Sequence, residues 1–150
     1  LDFTISDSLV RPDGTDMMHF LRCNPNHHSI AVAMGPHHSL HHLSFEMRGI
    51  EEWMRGAGKF LRSGARMIWG PGRHNAGDNT FAYFLDPAGN TIEYTTELST
   101  VDDDSWVAHK HDISHLSTQD QWGTAAEMSE LVARESFNDI DKGLFVAPPL

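Results

Sequence analysis

The chain is poor in cysteine. Cys23 is the only one among 150 residues, so no intrachain disulfide can form and no thiolate-rich metal site can be built. Any metal chemistry must therefore use nitrogen and oxygen ligands. Positive charge is also scarce, with 11 Lys and Arg against 21 Asp and Glu and a formal net charge of -10. No local basic cluster offsets this, so nucleic acid is not an expected partner. Long apolar runs are missing: nothing approaches the roughly 18 to 20 residues that span a bilayer. Leu1 to Phe20 also lacks the basic start and apolar core of a signal peptide. The reading is a soluble, cytoplasmic chain with no membrane partner. An initiating methionine is absent too, since the chain opens on Leu1 in mid-pattern, and this reads as a fragment or a processed chain.

Histidine, in contrast, is plentiful. Eleven occur in the chain, and eight of them (His19, His27, His28, His37, His38, His41, His42 and His74) fall in the first half, which concentrates metal-ligating and proton-transferring groups there. The remaining composition, 39% hydrophobic and 21% charged, is that of one ordinary globular domain or two small modules.

Patterning gives the organisation. Met17 to Cys23 and Ser29 to Met34 read as two short strands joined by the turn formers Asn24-Pro25-Asn26. His41 to Met47 reads as a third strand, with Leu43, Phe45 and Met47 on an apolar face and His42, Ser44 and Glu46 on the other. Ile50, Trp53, Met54, Ala57, Phe60 and Leu61 recur at spacings of three and four, which predicts an amphipathic helix from Ile50 to Ser63 stopping at Gly64. Met67 to Trp69 is then a short strand, Gly70-Pro71-Gly72 a turn and Arg73 to Asn79 a polar loop. Thr80 to Leu85 and Thr91 to Thr95 follow as strands about the turn-rich Asp86 to Asn90.

The order strand, helix, strand, strand, strand makes one complete βαβββ unit. The class is α+β: a partial first module of strands only over residues 1–36, a complete βαβββ module over 37–98, and a C-terminal extension over 99–150 with one helix from Thr124 to Glu135. A half-module lacking its first strand and helix is expected to leave an exposed edge and apolar face.

Glu93 stands mid-strand on the face opposite Ile92 and Tyr94, where a carboxylate needs either solvent or a cation to offset its desolvation. His42 stands on the polar face of its strand, either as a hydrogen-bonded structural histidine or as a ligand. His28 at a strand start, His74 in a loop and Tyr83 on a strand are further groups with proton-transfer potential, each with a structural alternative of comparable weight. His37, His38 and His41 read as loop or outer-face residues away from His42, and His109, His111 and His115 as part of a solvated acidic extension in preference to an adventitious surface metal site.

Four blocks resemble the extradiol ring-cleaving dioxygenases of the vicinal oxygen chelate, or glyoxalase and bleomycin-resistance, superfamily. They are Phe20 to Ala31, Leu40 to Glu46, Gly70 to His74 and Phe81 to Tyr94, in the order and spacing of that family's catalytic domain. Asp120 to Gly123 and Asp141 to Pro149 also look like the C-terminal region of bacterial members. The resemblance implies the paired βαβββ fold and a chain using Fe(II), or Mn(II), to cleave a catechol next to its diol with dioxygen. It implies His42 and Glu93 as metal ligands, His28 as the acid-base histidine, and His74 and Tyr83 as groups that orient the bound substrate oxygen. The first histidine ligand of the family would lie upstream of Leu1, so this chain supplies two of three ligands and is expected to be impaired alone. A homo-oligomer is expected. The rival readings are a glyoxalase-like metal-dependent isomerase, a bleomycin-resistance-type ligand-binding protein without iron, and a purely structural module.

Overall fold

A computed structural model of the protein describes residues 2–125 and 128–135. Eight strands run in chain order as β1 (Thr4–Val10), β2 (Asp16–Arg22), β3 (Ile30–Ala33), β4 (Leu43–Met47), β5 (Met67–Arg73), β6 (Thr80–Leu85), β7 (Thr91–Thr96) and β8 (His109–Asp112). Helices are few: α1 (Ile50–Arg62), α2 (Leu116–Gln119) and α3 (Glu130–Glu135). The strands form two four-stranded mixed sheets, ordered β3-β2-β1-β8 and β4-β7-β6-β5. The architecture is the α+β one expected.

The second sheet follows the predicted βαβββ order. β4 leads through α1 to β5, β6 and β7, and β4 then lies parallel to β7 with Ser44 opposite Glu93. Helix α1 ends where expected, with Ser63 as its C-cap and Gly64 in the left-handed region at φ 87°, a conformation that glycine adopts at little cost. Glu51 and Glu52 in its first turn and Lys59 and Arg62 in its last complement the helix dipole. Strand parity on β6 divides the core in two. Phe81 and Tyr83 pack with Ile68, Trp69 and Val132 on one face, while Ala82 and Phe84 pack with Trp53 and Ala57 of α1 on the other. Trp53 is fully buried and its indole Nε1 donates to the Tyr94 carbonyl at 2.7 Å, which fixes α1 on β7.

Several expectations need correction. Gly70-Pro71-Gly72 is not a turn: β5 runs on through it to Arg73, with the pairing to β6 shifting register between Trp69 and Gly72. A bulge absorbs the Gly and Pro that suggested a chain reversal. Of the six apolar residues of α1, Trp53 and Ala57 are buried, whereas Ile50, Met54, Phe60 and Leu61 are exposed. Leu43 and Phe45, expected on a covered apolar face, are about half exposed on β4, which lies at the end of its sheet.

The first sheet holds a strand the sequence reading did not include. Thr4 to Val10 alternates small polar with apolar residues too weakly to stand out, yet β1 is the centre of the sheet, antiparallel to β2 and parallel to β8. Strand β8 comes from the expected extension, so that segment completes a sheet rather than lying apart as solvated chain. Among the described residues the outer edge of β3 pairs with no strand, and Ile30 and Val32 there are about half exposed. The described part of the expected 124–135 helix is helical over Glu130–Glu135, and the Asp141 to Pro149 block lies outside the described residues.

Candidate metal and proton-transfer site

Glu93 lies on the face of β7 that also carries Thr91 and Thr95, and all three are buried, while Ile92 and Tyr94 are only partly covered. The polar face of this strand is thus its inner one. At β7 the carboxylate lies directly opposite Tyr83 of β6, and His42, immediately before β4, places Nε2 at 3.2 Å from Glu93 Oε2. Burial alone would raise the Glu93 pKa, but the hydrogen bond to His42, the charges of His42 and His74 and a bond from Ser44 hold it at about 2. It is an anion throughout the physiological range. Asn79 Nδ2 donates to the other oxygen at 3.3 Å and to Thr95 Oγ1 at 2.8 Å, which fixes the carboxylate plane.

His74 follows β5 directly and stacks on Phe81 at 3.9 Å between ring centroids and 12° between planes. Its Nδ1 donates to the Gln119 carbonyl at 2.8 Å, so in the neutral ring Nε2 is the bare nitrogen. That Nε2 lies 3.4 Å from the Tyr83 hydroxyl and 3.8 Å from Glu93 Oε1. Burial lowers the His74 pKa, and burial reinforced by the neighbouring Glu93 charge raises that of Tyr83 well above its ordinary value. Tyr83 therefore stays a phenol, able to donate. Its ring also meets His42 edge to face at 5.1 Å.

His28 enters from the first sheet, on the connection between β2 and β3. It packs on Phe20 of β2 at 4.9 Å and lies near enough to Glu93, His42 and His74 for their charges to act on it. Burial, the largest cause, lowers its pKa to about 4, so it is a neutral imidazole near pH 7. Of the five residues singled out in the sequence, His28, His42, His74 and Tyr83 are thus gathered about the buried carboxylate of the fifth, Glu93. Where His41 was expected to point away from His42, it does not: the two Nδ1 atoms lie 2.5 Å apart, because both precede the first paired residue of β4 and strand parity does not govern them.

Two residues that sequence reasoning passed over stand behind this group. Asp7 of β1 is 3% exposed and His27 is fully buried. His27 Nδ1 lies 2.9 Å from His28 Nδ1, and its Nε2 lies 3.2 Å from Asp7 Oδ2. On β8, the His109 amide donates to Asp7 Oδ1 at 2.8 Å and His111 Nε2 contacts Oδ2 at 2.8 Å. His111 is consequently a side-chain partner of a buried acid rather than a solvated tail residue, whereas the His109 side chain remains exposed and its amide makes the contact. A carboxylate within a strand reads as a surface group unless its partners, 20 and 104 positions away in Asp7–His27 and Asp7–His111, are known.

The donor set suits a divalent metal in part. A buried carboxylate and an imidazole nitrogen 3.2 Å from it are the oxygen and nitrogen donors that Fe(II) or Mn(II) accepts. Among the described residues no cluster of three or more His, Cys, Asp or Glu side chains is arranged to hold a metal, so His42 and Glu93 would offer two donors to one. No described helix is long and apolar enough to cross a membrane.

Residues 1–94 match the model of the Glyoxalase/Bleomycin resistance protein/Dioxygenase superfamily. The chain is 30% identical over 99 residues to metapyrocatechase 2 of Cupriavidus necator, covering 65% of this chain and 30% of that protein. It is 31% identical over 120 residues to the iron-dependent extradiol dioxygenase of Rhodococcus jostii (strain RHA1), covering 73% and 40%. The Mn(II)-bound glyoxalase from Novosphingobium aromaticivorans superposes with a TM-score of 0.83 at 39% identity, over 96% of this chain and 44% of that one. The chain thus spans less than half the length of the relatives it matches.

Proposed function

The chain belongs to the glyoxalase, bleomycin resistance protein and dioxygenase superfamily, and from that premise we propose that it carries catalytic residues of an extradiol dioxygenase acting on a catechol-type substrate. The observation that carries this reading is the convergence of His28, His74 and Tyr83 on the His42–Glu93 pair. A metal-binding module with no proton-transfer step has no use for three such groups.

His42 and Glu93 would hold the metal, Fe(II) by analogy with the iron-dependent relative, with Mn(II) also compatible. When bound, the metal supplies the redox chemistry that lets dioxygen react with the diol. The residues of the chain do the rest. Neutral His28 accepts a proton as substrate hydroxyls ionise and returns it during ring opening, a task that needs an unprotonated nitrogen at neutral pH. The Tyr83 hydroxyl, whose single proton faces the bare His74 Nε2 when no substrate is bound, turns it to a substrate oxygen, and His74, pinned by the Gln119 carbonyl, keeps that phenol in place. Trp69 and Phe81 form an apolar wall beside these groups. Both atoms of dioxygen enter the ring-opened acid, so no external reductant is required.

A glyoxalase-like, metal-dependent isomerisation is the second reading, favoured by the 39% identity to a Mn(II)-bound glyoxalase. Oxygen uptake separates the two. The protein loaded with Fe(II) and given a catechol should consume dioxygen and form a yellow ring-opened product. Metal-dependent turnover of a glyoxalase substrate without oxygen uptake would replace the dioxygenase reading with the isomerase one.

A further inference from the structure

We propose that Asp7 is a positioning residue that sets the proton arrangement of His28 through His27, leaving His28 Nε2 bare and basic toward the pocket. The inference rests on the dioxygenase reading for its catalytic consequence, though the proton arrangement itself does not.

The geometry permits few alternatives. His27 is fully buried, its main-chain N–H donates to the Ser99 carbonyl at 2.8 Å, and the Trp106 ring meets it edge-on at 5.7 Å. A Cβ placed on Gly77 would come within 3.2 Å of His27 Nδ1, so the ring is closely packed on that side. Its Nε2 lies 3.2 Å from Asp7 Oδ2 and makes no hydrogen bond to any described group. Facing a carboxylate there, a bare nitrogen would set lone pair against lone pair in a buried place, so Nε2 carries the proton. The neutral ring then has a bare Nδ1.

That bare Nδ1 faces His28 Nδ1 at 2.9 Å, and only one proton can occupy the line between two nitrogens. His28 Nδ1 must donate, so the neutral His28 ring has its lone pair on Nε2. Asp7 Oδ2 also meets His111 Nε2 at 2.8 Å, closer than His27, and the His111 side chain is partly exposed whereas His27 is sealed from solvent. Asp7 itself is held in place by the His109 amide across the β1–β8 pairing. The arrangement follows the logic by which a buried carboxylate selects the tautomer of a catalytic imidazole, here extended by one ring.

The test is nitrogen NMR of the histidine rings in the ¹⁵N-labelled chain free of paramagnetic metal near pH 7, with His27→Gln and His28→Gln for assignment. The expected wild-type spectrum has the proton on Nε2 of His27 and on Nδ1 of His28. Asp7→Asn, whose amide can donate, should invert both rings. In the Fe(II)-loaded protein it should lower kcat by about tenfold or more while KM for the catechol and iron content stay unchanged, and Asp7→Glu should restore the tautomers. A wild-type His28 protonated on Nε2, or a doubly protonated His27, would overturn the proposal even if Asp7→Asn fails to fold. The expected tautomers in a protein that does not oxidise catechols would uphold the relay and count against the dioxygenase reading alone.

Discussion

Nε2 of His42 stands 3.2 Å from Oε2 of Glu93, a contact made across the parallel pairing of β4 and β7 rather than within a hairpin. Two side chains separated in the chain by α1, β5 and β6 meet only when the whole module is folded. Glu93→Ala should therefore lose most of its bound iron while retaining the fold, since the remaining imidazole binds a divalent ion weakly. Elemental analysis together with circular dichroism would show this. Undiminished iron in a folded variant removes Glu93 from the ligand set.

His28→Gln should keep iron and bind catechol yet turn over about 100-fold more slowly, the loss typical of removing an acid-base group. Single-turnover formation of the yellow product measures the step directly. Wild-type turnover would reduce His28 to a packing residue against Phe20.

Gly56 of α1 inverts the usual expectation for a helical glycine. In a helix interior, glycine to alanine ordinarily stabilises by about 0.5–1 kcal/mol. Here a Cβ would fall 2.0 Å from the Tyr94 hydroxyl and 2.6 Å from its ring, and that ring is held against Phe60 at 5.2 Å. Gly56→Ala should destabilise by about 1–3 kcal/mol, as overpacking does. Denaturant unfolding would record a lower midpoint, and an increased midpoint would show that Tyr94 swings away freely.

Much of the second sheet was legible because local rules and tertiary packing agree there. Helix α1 has its period and its Gly64 stop, and β6 and β7 flank the turn residues of Asp86 to Asn90. The site residues were legible only through motif blocks, since Glu93, His42 and His74 taken singly are indistinguishable from surface polar residues. Asp7, His27 and His111 were missed for a different reason. Asp7 and His111 are joined by β1–β8 pairing across about a hundred positions, and His27 reaches Asp7 from the β2–β3 connection, and such long-range contacts leave no mark on local periodicity. The exposed Leu43 and Phe45 mark the opposite failure: alternation states which residues share a face, not whether the face is covered.

The last prediction concerns acid stability. The Asp7 pKa falls from its ordinary 3.8 to about 2: burial alone would raise it, but the close approach of His27 and hydrogen bonds from the His109 amide and His111 prevail. A carboxyl whose folded-state pKa lies below its unfolded one contributes stability that is fully present above about pH 4, and this stability is lost as pH falls through the folded value near 2. Wild-type protein should therefore exceed Asp7→Asn in stability at pH 5, and the difference should shrink steadily between about pH 4 and pH 2. Urea unfolding of both proteins across that range gives the difference directly. Glu52, Asp78, Asp86, Glu93 and Asp112 also have lowered pKa values and contribute to the acid limb of both proteins, so only the difference reports Asp7. A gap that stays constant down to pH 2 would mean that the Asp7 carboxylate gains nothing from its histidine and amide donors.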